Sequence, residues 1–244
     1  MEPLHRSTVA DPDGRLHAAV AADGVRIECR FTDRADGDLA VDGEPEQLAR
    51  RRARVAPGPW TWLRQVHGAD VVVVTQPGEH AGAAADASVT VVPGAVLAVN
   101  TADCAGVLLA GRGPSSTVVG AAHAGWRGLV DGVLESTVAA MRDLGADDVF
   151  WVLGPCISPA RYEFGGDDLD AVAERLGDVV RSTTSDGRPA LDLRAGVASA
   201  LGSVGAIGPA DPAVPCTASE PSRYSWRAGR DTGRQSAVIW FAEP

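Results

Sequence analysis

A chain of 244 residues with 22 basic and 32 acidic side chains carries a formal charge of −10, and every basic residue is Arg, because the chain contains no Lys. That excludes a Schiff-base lysine and a phosphate loop of the G-x-x-x-x-G-K-[ST] type, and it argues against nucleic acid as a partner, since affinity for a polyanion needs clustered positive charge that releases counterions. An apolar share of 45% beside 22% charged residues is that of a soluble globular protein.

Met1 to Gly14 mixes Pro, His, Arg and acidic groups without an apolar run, so no signal peptide is read there, and residues 1–24 are expected to form a poorly ordered or variable segment. Val25 to Phe31 alternates apolar and polar side chains as a strand does, and Glu44 to Val55 reads as an arginine-rich surface helix. Short β-branched runs then predict strands at Val71 to Thr75, Ser88 to Val92, Val96 to Thr101, Val107 to Ala110 and Thr117 to Ala122. Leu129, Val130, Val133, Leu134, Thr137, Val138, Met141 and Leu144 recur at helical spacing and predict one long helix, capped by Gly145. Val149 to Leu153 follows as a strand, which makes Thr117 to Leu153 a strand-helix-strand unit. Asp167 to Val180 and Asp192 to Val204 predict two more helices, and Ser236 to Phe241 a closing strand.

Strands alternating with helices predict an α/β protein with mixed sheets. The 28 Gly and 16 Pro are scattered as turn punctuation, so one domain over 1–244 is expected. No stretch approaches the ~18 apolar residues of a membrane span. Four Cys (Cys29, Cys104, Cys156, Cys216), none in C-x-x-C spacing, make no disulfide framework and point to a reducing compartment, the cytoplasm.

Three segments place a reactive side chain among small neighbours at the end of an apolar run: Gln65-Val66-His67-Gly68, Thr101-Ala102-Asp103-Cys104, and Ala122-His123-Ala124-Gly125-Trp126-Arg127-Gly128. His67, Cys104 and His123 form a three-donor set suited to catalytic zinc, with a fourth position for water or substrate. The same residues also fit a buried core thiol with two hydrogen-bonded histidines, or a Cys104 nucleophile activated by a histidine. Asp103 is a candidate proton carrier or a residue that orients its neighbour. Gly125 to Gly128 stand where a strand gives way to a helix, so their amides and Arg127 are candidates for holding an anion. Cys156 reads as structural. His5, His17 and His80 read as surface residues. Arg223, Arg227, Arg230 and Arg234 fit either a solvated hairpin or a phosphate contact.

Taken in order, W-L-R-Q-V-H-G-A-D (62–70), V-N-T-A-D-C (99–104), A-A-H-A-G-W-R-G-L-V-D-G-V-L (121–134), L-G-P-C-I-S-P-A-R-Y-E-F (153–164) and Y-S-W-R-A-G-R-D-T-G-R (224–234) resemble the YfiH-type family, also called laccase-domain, polyphenol oxidase or purine nucleoside phosphorylase. The resemblance runs from about residue 60 to 241 and implies a layered α/β sandwich with mixed sheets. It implies that His67, Cys104 and His123 are metal ligands, with zinc, or copper, as cofactor. It further implies phosphorolysis of adenosine, inosine or methylthioadenosine to base and ribose 1-phosphate, with adenosine deamination beside it. Gln65, Gly125, Arg127, Gly128, Arg227 and Arg234 are then the candidates for holding nucleoside and phosphate. Copper-dependent phenol oxidation, a Cys/His hydrolase acting on cell-wall precursors and a non-catalytic metal-binding domain are the competing readings. The chain departs from the family in a shortened stretch over Phe31 to Asp42, in Ala105-Gly106 after the cysteine, and in Arg227-Ala228 where two arginines are usual.

Overall fold

The computed structural model describes residues 5–10, 16–22, 25–114, 116–209 and 212–242. In chain order the strands are β1 (His5–Ala10), β2 (Leu16–Ala22), β3 (Val25–Phe31), β4 (Trp60–Arg64), β5 (Val71–Val74), β6 (Ala83–Ala84), β7 (Ala87–Thr90), β8 (Val96–Thr101), β9 (Ala105–Arg112), β10 (Thr117–Ala124), β11 (Asp148–Leu153), β12 (Arg181–Thr183), β13 (Pro189–Leu191) and β14 (Gln235–Phe241). The helices are α1 (Pro45–Val55), α2 (Trp126–Asp131), α3 (Val133–Asp143), α4 (Asp167–Leu176), α5 (Leu193–Ser203) and α6 (Trp226–Gly229).

Two mixed sheets carry the fold, one ordered β1-β2-β3-β14-β8-β4-β6 and the other β11-β9-β10-β7-β5. Strands β7, β8, β9, β10 and β14 are buried on both faces, which is why they read as apolar runs. In β8, Leu97 and Val99 face the second sheet while Val96 and Ala98 join Trp60, Val238 and Trp240 on the opposite face, under α1. In β9, Leu108 and Ala110 turn toward the first sheet, and Val107 and Leu109 turn toward α2 to α5. The period of two thus yields four layers: α1, sheet, sheet, helices.

The region read as one helix over 129–144 is two, because Gly132 takes a left-handed φ of 86° that ends α2 and starts α3. Apolar periodicity continues across this break, since both helices bury their faces against the same sheet, so it is silent in the pattern. Helix α4 likewise stops at Leu176, where Gly177 at φ 89° leads into a 3-10 turn. The strand-helix-strand unit exists, but β9 lies between β10 and β11 and pairs antiparallel with each. Within 1–24, β1 pairs with β2 and β2 with β3, while the side chains of His5 and His17 fall outside the described residues. Among the described residues no helix is long and apolar enough to cross a membrane.

Candidate metal centre

The strand registers bring three distant side chains to one end of the second sheet. Ala124 pairs with Ala105, so Cys104, one residue before β9, emerges beside the end of β10, which carries His123. His67 stands three residues past β4, in a loop clamped by Asp86, whose carboxylate accepts the backbone N–H groups of Val66, His67 and Gly68 at 3.0, 3.0 and 2.9 Å.

The donor atoms of His67, Cys104 and His123 all lie within 4.8 Å of one another, and no fourth His, Cys, Asp or Glu joins them among the described residues. Cys104 Sγ is 3.9 Å from His67 Nε2, and the two imidazole rings meet edge to face at 4.8 Å. His123 Nδ1 lies 2.8 Å from Asp86 Oδ1. That bond engages Nδ1 and leaves Nε2 as the nitrogen that could bind a metal in place of a proton, the usual orientation of a metal-binding histidine backed by a carboxylate. Two nitrogens and a sulfur at this spacing could hold a metal ion.

Charge favours the thiolate in this set. Burial pushes the Cys104 thiol up, but the adjacent imidazoles of His123 and His67 outweigh it and hold the thiol below its ordinary range. Burial opposes the charged form of His123 too, and Cys104 and Asp86 together raise it. Burial also works against the Asp86 anion, yet the bonds from His123 and the backbone bring its carboxyl below the usual range. The thiolate is the form that binds metal.

Backbone strain concentrates here. His67 at φ 61° and Asp103 at φ 100° are two of the four described non-glycine residues in the positive-φ region; such conformations persist where the surroundings over-determine them. Asp103 is held firmly: Oδ1 accepts from Thr217 Oγ1 and Oδ2 from the Arg227 N–H, both at 2.7 Å. Gly125 is required by close approach, since a Cβ there would stand 2.8 Å from His67 Cδ2 and 3.3 Å from Cys104 Sγ.

The three donors open into a pocket of about 820 Å³, also lined by Gln65, Arg64, Arg234, Trp226, Asn100 and the Ala40-Val41-Asp42 stretch. That volume lies in the ~300–1,000 Å³ range of small-molecule sites. Gln65 is engaged in the wall: its side-chain amide donates to Asn100 O at 2.7 Å and accepts from Asn100 N at 2.8 Å. Arg234 reaches the pocket while its Nη1 donates to the carbonyls of Asp231, Thr232 and Gly233. Arg127 and Arg227 are not among the lining residues. The Arg127 guanidinium stacks on Trp126 at 4.2 Å, and that of Arg227 on Tyr162 at 4.8 Å. Gly128 packs against Gly68 O, where a Cβ would sit 3.0 Å away. Arg223 is buried and donates to Thr32 O, and the exposed His80 lies 3.8 Å from Glu79. Cys156 stands apart from the cluster, buried beside Cys216.

Asp86, Arg64 and Trp226 are not legible as site residues in the sequence. Asp86, in the bend before β7, carries a signal, an acid in an apolar stretch that needs a buried partner, but nothing local names His123 as that partner. Arg64 and Trp226 lie inside the family motifs, and the fold brings them to the lining of one pocket.

The chain is similar to known proteins along most of its length. The family model described as multi-copper polyphenol oxidoreductase laccase matches residues 31–242. A purine nucleoside phosphorylase of Streptomyces coelicolor is 41% identical over 198 residues, covering 80% of this chain and 80% of the relative. The purine nucleoside phosphorylase YfiH of Escherichia coli is 37% identical over 205 residues, covering 81% and 82%. The crystal structure of YlmD from Geobacillus stearothermophilus superimposes with a TM-score of 0.75 at 26% identity, covering 97% of this chain and 100% of that one.

Proposed function

We propose, since this chain belongs to the multi-copper polyphenol oxidoreductase laccase family and its relatives carry the name purine nucleoside phosphorylase, that it splits adenosine, inosine or methylthioadenosine with phosphate into base and ribose 1-phosphate. Zinc held by His67, Cys104 and His123 is part of this reading, and so is adenosine deamination as a side activity. The supporting observation is that one pocket holds both the His-Cys-His cluster and two guanidinium groups, Arg64 and Arg234.

When bound, the metal supplies a Lewis acid that polarises an atom of the substrate. The rest of the work falls to the chain. Phosphorolysis needs phosphate held against the ribose carbon while the glycosidic bond loosens, and in a chain without Lys only Arg forks and backbone amides can hold it. Arg64 and Arg234 take that role. Trp226, 45% exposed on the pocket rim, offers a flat face for the purine. Gln65 keeps the wall between β4 and β8 in register. Asp103, with both oxygens engaged, acts as a positioning residue for Cys104 rather than as a proton carrier. Gly125 makes room for the donors, and Gly128 packs the start of α2 on the His67 loop. Arg127 and Arg227, stacked on Trp126 and Tyr162, are given no phosphate contact in this reading. A reducing cytoplasm suits a working thiolate at Cys104.

Incubating zinc-loaded protein with adenosine and phosphate tests the proposal. Adenine and ribose 1-phosphate are expected by chromatography, with some inosine from deamination. No product above a His123→Ala control overturns it. Copper loading alone decides nothing, because copper outcompetes zinc at most nitrogen and sulfur sites; oxygen uptake with a phenol by the zinc-loaded protein is what supports the oxidase reading.

A further inference from the structure

Two segments that take no part in the pocket meet at a pair of thiols. Cys156 follows β11, Cys216 precedes α6, and the two are partners in an isolated parallel bridge. Neighbouring strands run about 4.7–4.9 Å apart, and disulfides span Cα separations of about 4.4–6.8 Å. Both cysteines are free thiols. Cys216 Sγ accepts a hydrogen bond from Ser158 N at 3.3 Å, so this thiol already leans on the segment that carries Cys156.

The two environments differ in a useful way. Cys216 is half-buried, and donors from Ser158 and Ser219 outweigh its burial to hold the thiol below its ordinary range. Cys156 is fully buried, and burial pushes it up to about 12 against the pull of Arg194. An accessible attacking thiol beside a shielded resolving thiol is the arrangement that thiol exchange requires.

The same segments grip the metal centre. The residue after Cys156, Ile157, donates its N–H to Asp103 O at 2.9 Å. The residue after Cys216, Thr217, donates its hydroxyl to Asp103 Oδ1 at 2.7 Å. Asp103 immediately precedes Cys104.

We propose that Cys156 and Cys216 form a reversible disulfide, a redox modification site that loosens metal binding through Asp103 and Cys104. The oxidant is a low-molecular-weight disulfide such as glutathione disulfide. The Cys216 thiolate attacks one of its sulfurs, forming a mixed disulfide and expelling one glutathione thiolate. Cys156 then gives up its proton and attacks the Cys216 sulfur, and the second glutathione leaves as a thiolate. Two protein thiols are oxidised, and one small disulfide is reduced to two thiols. Closing the bridge draws the two Cβ atoms to the ~3.5–4.5 Å of a disulfide. Ile157 and Thr217 move with them, and both hold Asp103.

The test treats the zinc-loaded full chain, in which Cys104 is ligated, with excess glutathione disulfide. Remaining thiols are alkylated, and the digest is read by mass spectrometry beside a chelator competition for zinc. A peptide linking Cys156 to Cys216, and a zinc affinity lower by about tenfold or more, are expected. Dithiothreitol should reverse both, and Cys216→Ser should show neither. Free thiols at both positions, or glutathione retained on Cys216 without a link, overturn the site. A link that leaves zinc affinity unchanged overturns the coupling to Cys104. The mass readout needs only the unmodified sequence and no nucleoside turnover, so its failure is separate from failure of the proposed activity.

Discussion

Replacing Asp86 by Asn keeps the shape of a fully buried side chain and removes its charge. Asp86 Oδ2 accepts from the amides of Val66 and Gly68 at 3.0 and 2.9 Å, and Oδ1 from the His67 amide at 3.0 Å and His123 Nδ1 at 2.8 Å. An amide has a single acceptor oxygen, so in either orientation two of these four donors face an NH2 group. A buried donor left unpaired costs about 1–3 kcal/mol, which puts the loss at roughly 1–6 kcal/mol, the lower end where the His123 tautomer changes to accept from the NH2, in a fold whose whole stability is about 5–15 kcal/mol. If the NH2 turns to His123, the imidazole must move its proton to Nε2 and can no longer donate that atom to a metal. If it turns to the amides, the His67 loop loses its clamp. Removing such a supporting partner costs about 10–100-fold in metal affinity. Chelator competition for zinc and urea denaturation of the metal-free protein read the two effects separately. Unchanged zinc affinity together with an unchanged urea midpoint would refute the assignment of Asp86 as the group that holds both histidines.

Gly125→Ala should weaken zinc binding by about 5–150-fold, the equivalent of ~1–3 kcal/mol of overpacking, while the circular dichroism spectrum stays that of the parent; wild-type affinity would mean that the donors can shift without cost. Arg64 is exposed and lines the pocket, so Arg64→Ala should raise KM for phosphate by roughly tenfold, about 1.4 kcal/mol of a charged hydrogen bond, and leave the urea midpoint in place; an unaltered phosphate KM removes it from the anion site. Saturating zinc at about 100 times its Kd should add about 2.7 kcal/mol of stability, and Cys104→Ser should abolish that gain in a thermal melt. Because the chain has no Lys, titration between pH ~10 and ~12 belongs to Tyr and Cys. Burial holds the Tyr162 phenol at about 12. A folded pKa above the unfolded value contributes stability at lower pH that is lost as pH rises toward it, so stability should fall between pH ~10 and ~12, and less steeply in Tyr162→Phe; equal slopes in urea midpoint against pH would contradict this.

Much of the local structure was legible. Strand β3 and strand β8 stand where alternation and a β-branched run predicted them, and α1 and α5 begin at Glu44 and Asp192, whose side chains cap the first turn. These features depend on neighbours within a few residues, which the sequence displays directly. The break at Gly132 was not legible, because a glycine inside an apolar helical pattern looks the same whether its φ is negative or positive.

The sequence by itself determined the chemical inventory: no Lys, five His, four Cys, and an ordered motif set that singled out His67, Cys104 and His123. Tertiary structure decided which groups share space. It placed Asp86 behind His123, turned Arg64 toward the pocket and Arg127 onto Trp126, engaged both oxygens of Asp103, and set Cys156 beside Cys216. The physical reason is register: strands far apart in the chain pair one residue with one residue, and a single-step shift would send every side chain to the other face. In a chain without Lys, the basic residues among those that line this pocket are Arg64 and Arg234.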